Sequence, residues 1–124
     1  MRNGFVFGAV AIVATVAMAA PAAAQANPCT ELGQYIDPDG DDNWTAPPSN
    51  AAALDAANRC IAAQGGTANL YGARAFIHRL MGNYSLAEAD ATRRIEMDRS
   101  GSAYRNRAIV RQSAGRHEEA VADF

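Results

Sequence analysis

Lysine is absent from this 124-residue chain: its eleven basic residues are all arginine, set against thirteen Asp and Glu for a net charge of −2. A mildly acidic chain without a basic run is not built to be captured by nucleic acid or anionic lipid through charge. Histidine is nearly as scarce. His78 and His117 are the only two, and they are too far apart to share a metal at helical spacing. His78 sits on a packing stripe, where a buried or half-buried helix residue is expected rather than a base, and His117 opens a solvated face with Glu118 and Glu119. The two cysteines, Cys29 and Cys60, lack the neighbouring Cys or His of a zinc site. No nucleophile, base or metal cluster emerges, so the chain is not expected to be an enzyme or to need a cofactor or metal. The acidic stretch Asp37-Pro38-Asp39-Gly40-Asp41 imitates a calcium loop, but its glycine is misplaced and the distal acidic position falls on Pro48. A solvated turn is the simpler reading. Asn43-Trp44-Thr45 fits a glycosylation sequon, which matters only in a host that glycosylates exported proteins.

What is present begins with an apolar leader. Arg2 is followed by an uncharged run, Phe5 to Ala20, rich in Ala and Val, then by Pro21 and a string of alanines. Basic start, apolar middle and small-residue end are the order of a secretory signal, assigned to residues 1–26. Cleavage after Ala24 or after Ala26 satisfies the small-x-small rule. The competing reading is an uncleaved membrane anchor, since roughly 20 apolar residues span a bilayer; the Pro-broken, Ala-rich end favours cleavage. A periplasmic or secreted location follows as the expectation, with no membrane attachment after cleavage. Asn27 and Pro28 before Cys29 do not suit lipid attachment. Without the leader, ten Arg face thirteen acids. In an exported chain Cys29 and Cys60 favour a bridge over free thiols. Such a bridge would contribute on the order of 3–4 kcal/mol on the loop-entropy model.

Residues 27–50 are rich in turn formers and predict an irregular segment carrying at most one helical turn, around Thr30 to Tyr35, with Trp44 and Tyr35 as anchors. From Ala51 the pattern is helical, with Ser49 or Asn50 as N-cap. Leu54, Ala57 and Ile61 recur at helical spacing until Gly65-Gly66. A second helix is predicted over about Ala68 to Met81 and stops at Gly82. A third is predicted to start with a capping box, Ser85 and Glu88, with Tyr84 packing back on its first turn. A fourth covers about Ser102 to Ser113, and a fifth begins near His117.

The segment Tyr71 to Ala91 recurs at Tyr104 to Phe124 with one constant lag: Tyr71 answers to Tyr104, Arg74 to Arg107, Ala75 to Ala108, Gly82 to Gly115 and Ala87 to Ala120. A fixed lag marks a repeat protein. Alanines at 75, 87, 108 and 120 fall where paired helices must approach closely, because larger side chains would push the axes apart.

Helix, glycine turn, helix in units of about 34 residues resembles the tetratricopeptide repeat. Tyr71, Ala75, Gly82, Tyr84, Ala87, Ile95, Glu96, Met97 and Asp98 carry the likeness in one unit. Tyr104, Asn106, Arg107, Ala108, Gly115, Ala120 and Phe124 carry it in the next. Ile61 leads Ile95 by one such unit and places a degenerate half unit at 51–66, before a unit at 67–100 and an incomplete one at 101–124. The pattern departs from the family at Arg99, which replaces a closing proline, at Ala91, which replaces a large aromatic, and at Arg74 and Arg107, which stand where an apolar residue is common. The resemblance implies an all-α fold of antiparallel helix-turn-helix repeats stacked as a short right-handed solenoid. It also implies a non-catalytic scaffold whose groove, lined by first helices, binds a protein or peptide segment. Phe76, Arg79, Arg105, Asn106 and Ile109 are the groove residues it points to. Arg79 and Arg105 resemble groups that hold a peptide carboxylate, the alternative being a solvated basic face paired with local acids. Because solenoids end in a polar capping helix, the aromatic Phe124, which should lie under a next turn, leads to the expectation of a fragment, or of an end covered by a partner. The alternative function is an accessory repeat module of a larger envelope protein or enzyme.

Overall fold

A computed structural model describes Gly4 and residues 27–35 and 49–124. The rest of the expected leader, the Asp37 to Asp41 turn, Trp44 and the sequon lie outside the described residues. Those described are all-α: α1 (Pro28–Tyr35), α2 (Asn50–Gln64), α3 (Ala68–Leu80), α4 (Tyr84–Met97), α5 (Gly101–Ser113) and α6 (His117–Asp123), with no strand among them. Each helix packs on the next in chain order, and α3 also meets α5.

Three helices begin at hydroxyl caps. The N–H groups of Ala52, Leu70 and Ala103 donate to Ser49, Thr67 and Ser100 at 3.0, 3.3 and 3.3 Å, each satisfying a donor that the first turn leaves without a helical partner. Helices α4 and α6 start differently. Gly82 (φ 76°) and Gly115 (φ 80°) end α3 and α5 in the left-handed region, where glycine carries no Cβ penalty. The following N–H groups, Asn83 and Arg116, then return to the carbonyls of His78 and Arg111, both at 2.8 Å. The turn leads directly into α4 at Tyr84, so its N-cap is Asn83 and no side chain caps it. The expected capping box is therefore corrected: Ser85 already lies inside the helix, and Glu88 turns away to take arginine partners from α5 and the α5–α6 turn.

The expectation of at most one turn near Thr30 to Tyr35 is also corrected, because α1 holds eight residues. Asn27 supplies the cap, its Oδ1 accepting from the Cys29 N–H at 2.9 Å, and Pro28 takes the first helical position, where its missing donor costs nothing. Leu32 is buried, and Tyr35 packs on the same cluster. Long-range ties hold this short helix: the sulfurs of Cys29 and Cys60 lie at disulfide distance, 2.09 Å, and Arg59 donates to Glu31 at 3.0 Å.

Among the described residues, two apolar clusters form within the core. One joins Leu32 of α1 to Ala53, Ala56, Ala57 and Cys60 of α2 and Ile77 of α3; the other joins Ala75, Ala87, Ala91 and Val110 across α3, α4 and α5. Ala75, Ala87 and Ala108 are fully buried and Ala120 is 3% exposed, so the small residues do stand where the helices approach.

Candidate functional site

The constant lag of the sequence reappears as geometry. Arg74 of α3 donates through Nε and Nη2 to the two oxygens of Asp90 on α4, both at 2.8 Å. Arg107 of α5 does the same to Asp123 on α6, at 2.8 and 2.7 Å. Both arginines lie over the tyrosine one turn earlier, Tyr71 at 5.6 Å and Tyr104 at 5.9 Å from the ring centroid. Each spends its remaining Nη1 on the preceding unit, Arg74 on Asn58 of α2 and Arg107 on Thr92 of α4. A planar guanidinium suits this, because its fork satisfies both carboxylate oxygens and leaves a third donor. Arg74 and Arg107, departures from the apolar pattern in sequence, thus pin each helix pair together and touch the pair before it. Asp90 and Asp123 were not singled out from the sequence, although both lie 16 residues after their arginine, a spacing that the lag preserves.

The register next to this clamp differs between copies. His78 brings Nε2 to 3.9 Å from Asp90, whereas its counterpart Arg111 donates to Asp123 at 2.9 Å and to Glu88 at 3.0 Å. Burial lowers the His78 pKa, against the pull of Asp90, so this buried residue stays neutral near pH 7 and fits the packing role expected of it. Hydrogen bonds from Arg107 hold Asp123 below the usual carboxylate range, outweighing burial. Burial alone would raise Glu88, but hydrogen bonds from Arg116 and Arg111 hold it low.

These pairs decide which cations are available. Arg59, Arg74, Arg93, Arg107, Arg111 and Arg116 all contact a carboxylate. Among the described residues, Arg79, Arg94, Arg99 and Arg105 do not. Of the groove residues, Phe76 is 43% exposed and carries the Arg79 guanidinium 5.2 Å over its ring centroid. Arg79 also reaches across to Ser113 of α5, with Nη1 to Oγ at 3.5 Å. Leu80 extends the same surface. On α5, Arg105 is exposed, while Asn106 and Ile109 are half-buried, and the buried Asn106 Oδ1 has no partner among the described residues. Arg79 and Phe76 are brought together with the C-terminal end of α5. Arg105 stands two turns before Ser113, about 12 Å back along that helix.

Among the described residues, no three His, Cys, Asp or Glu side chains gather to hold a metal ion, and no described helix is long and apolar enough to cross a membrane. No family model matches the chain, and neither curated proteins nor solved structures provide a match.

Proposed function

We propose that the chain is a tetratricopeptide-like scaffold, a short right-handed solenoid of helix pairs that binds an extended protein or peptide segment along the α3–α5 surface. The observation that carries this reading is the arginine clamp and glycine turn repeated at the same lag. Such repetition gives both helix pairs the same clasp and the same turn, as a repeat array requires. Along those first helices, Phe76 and Leu80 supply exposed apolar area, while Arg79 and Arg105 supply guanidinium groups with no carboxylate partner among the described residues. An extended acidic or carboxylate-bearing segment meets both needs. Export by the apolar leader into the periplasm or medium is part of the same proposal, and the pairing of Cys29 with Cys60 suits it. A role as accessory module of a larger envelope protein would use the same surface.

Selection from a displayed library of random extended peptides tests it. Enriched sequences are expected to lose at least about tenfold in affinity, or about 1.4 kcal/mol, for Arg79→Glu and for Arg105→Glu, with thermal midpoints unchanged. Peptides that bind both variants as well as the parent, or variants that fail to fold, would remove the groove assignment.

A further inference from the structure

A second site shares Phe76 with the groove surface but holds a different cation. A cavity of about 390 Å³ opens between α1, α3 and α4, walled by Leu32, Leu70, Ala73 and Phe76 and floored by Gly72, with Arg94 the one charged lining residue among those described. That volume is at the lower end for small-ligand sites, about 300–1,000 Å³. Arg94 differs from the clamping arginines. It meets no carboxylate among the described residues, its Nη2 donates only to Ser102 Oγ at 3.3 Å, and its Nε is buried without a partner. Gly72 creates the seat: a Cβ there would come within 2.8 Å of Arg94 Nη1, so the guanidinium rests on bare helix backbone. In the next copy the same register holds Arg105, so this seat is a property of one unit and not of the repeat.

We infer that this cavity binds a single carboxylate attached to an apolar tail, with the tail between Leu32, Leu70 and Phe76 and the carboxylate on Arg94. A partly desolvated guanidinium whose Nη1 has no hydrogen-bond partner among the described residues is costly until an anion takes it. One cation amid apolar walls suits a monoanion rather than a phosphate, which would need more charge and more donors. The same chemistry is offered by a free aliphatic acid and by the C-terminus of a peptide whose last residue is apolar.

Calorimetric titration of the oxidised chain with octanoate and octanamide, and with a tripeptide ending in leucine as free acid and as amide, tests the inference and separates the two sources. At least one acid is expected to bind about tenfold or more tightly than its amide, and the acid that does so identifies the source. Arg94→Gln is expected to abolish that preference, while Arg93→Gln, which alters the exposed neighbour paired with Glu96, keeps it. Equal binding of acid and amide, no binding of either acid at millimolar concentration, or a preference that survives Arg94→Gln overturns the inference. If Arg94→Gln does not fold, the acid-against-amide comparison on the parent chain decides alone. Arg105→Glu, which alters a groove residue outside the cavity lining, should leave octanoate binding intact, so the two sites fail or hold separately.

Discussion

The α1–α2 end and the α3–α6 portion of this protein solve the same problem with different chemistry. At the α1–α2 end, Leu32 and, from the neighbouring α3, Ile77 close on a helix of alanines, and the Cys29–Cys60 pair ties α1 to α2. Further along, the buried apolar residues are mostly alanine, with Ile95 and Val110 the larger ones in α4 to α6. Alanines let helices come close but remove little apolar area from water, at roughly 25 cal/mol per Å². The arginine clamps supply what that core lacks, fixing the register of each pair through two parallel hydrogen bonds. One end should therefore answer to reductant and the other to acid. The contrast can be broken by showing that either lever moves both ends.

The largest expected effect is loss of the bridge. Cys29→Ser with Cys60→Ser frees a span of 31 residues, and the loop-entropy model gives a loss of about 3–4 kcal/mol. Amide hydrogen exchange should show α1 and α2 losing protection well before α4 to α6. Uniform loss along the chain would mean that the two portions are one cooperative unit and that the contrast is only chemical.

Asp90→Ala comes next. It leaves Arg74 facing a small, largely buried gap, and breaking such a pair costs about 3 kcal/mol, toward the lower end of the usual range because Arg74 keeps some solvent contact. Replacing both partners, Arg74→Met with Asp90→Leu, should recover most of that loss in urea unfolding, since a matched apolar pair leaves no orphaned charge. If the double variant is as unstable as the single, the clamp contributes geometry that packing cannot replace. The same comparison at Arg107 and Asp123 should show less recovery, because Arg111 also donates to Asp123 and would lose a partner.

How much of this was legible in the sequence follows from the range of each interaction. Glycine turns and hydroxyl caps are local, and Gly82, Gly115 and Ser49 announced theirs, while the Thr67 cap emerged only in the structure. The alanine lag announced close approach, since backbone spacing depends on side-chain size at a few positions. The clamp was harder: Arg74 and Asp90 stand on different helices, far apart in sequence, and each alone looks like a surface charge. Only the second copy, Arg107 with Asp123, gives the spacing meaning. Glu88 misled for a related reason, because its local capping pattern with Ser85 was outcompeted by two arginines from beyond α4. The Arg94 cavity had no sequence signal, since α1, α3 and α4 form it from residues that are unremarkable one by one.

The smallest effect, and the finest test of the contrast, is the dependence on pH. Asp123 and Glu88 titrate below their ordinary values, so the unfolded chain takes up protons first. Their stabilisation is complete above about pH 4, the ordinary carboxylate range, and is lost as pH falls through the depressed folded values. His78 works in the same direction at a higher window. Its folded pKa lies below the ordinary value of about 6.5, so stability should begin to fall as pH drops past that point and level off below the folded value. Two acid steps are therefore expected in denaturant midpoints of the oxidised chain: a shallow one below about pH 6.5 that His78→Gln removes, and a deeper one below about pH 4 that Asp123→Asn reduces. The first step separates the two copies, because the matching register in the second holds Arg111 in place of a histidine. A shallow step that survives His78→Gln would assign it elsewhere and leave the copies alike in their response to acid.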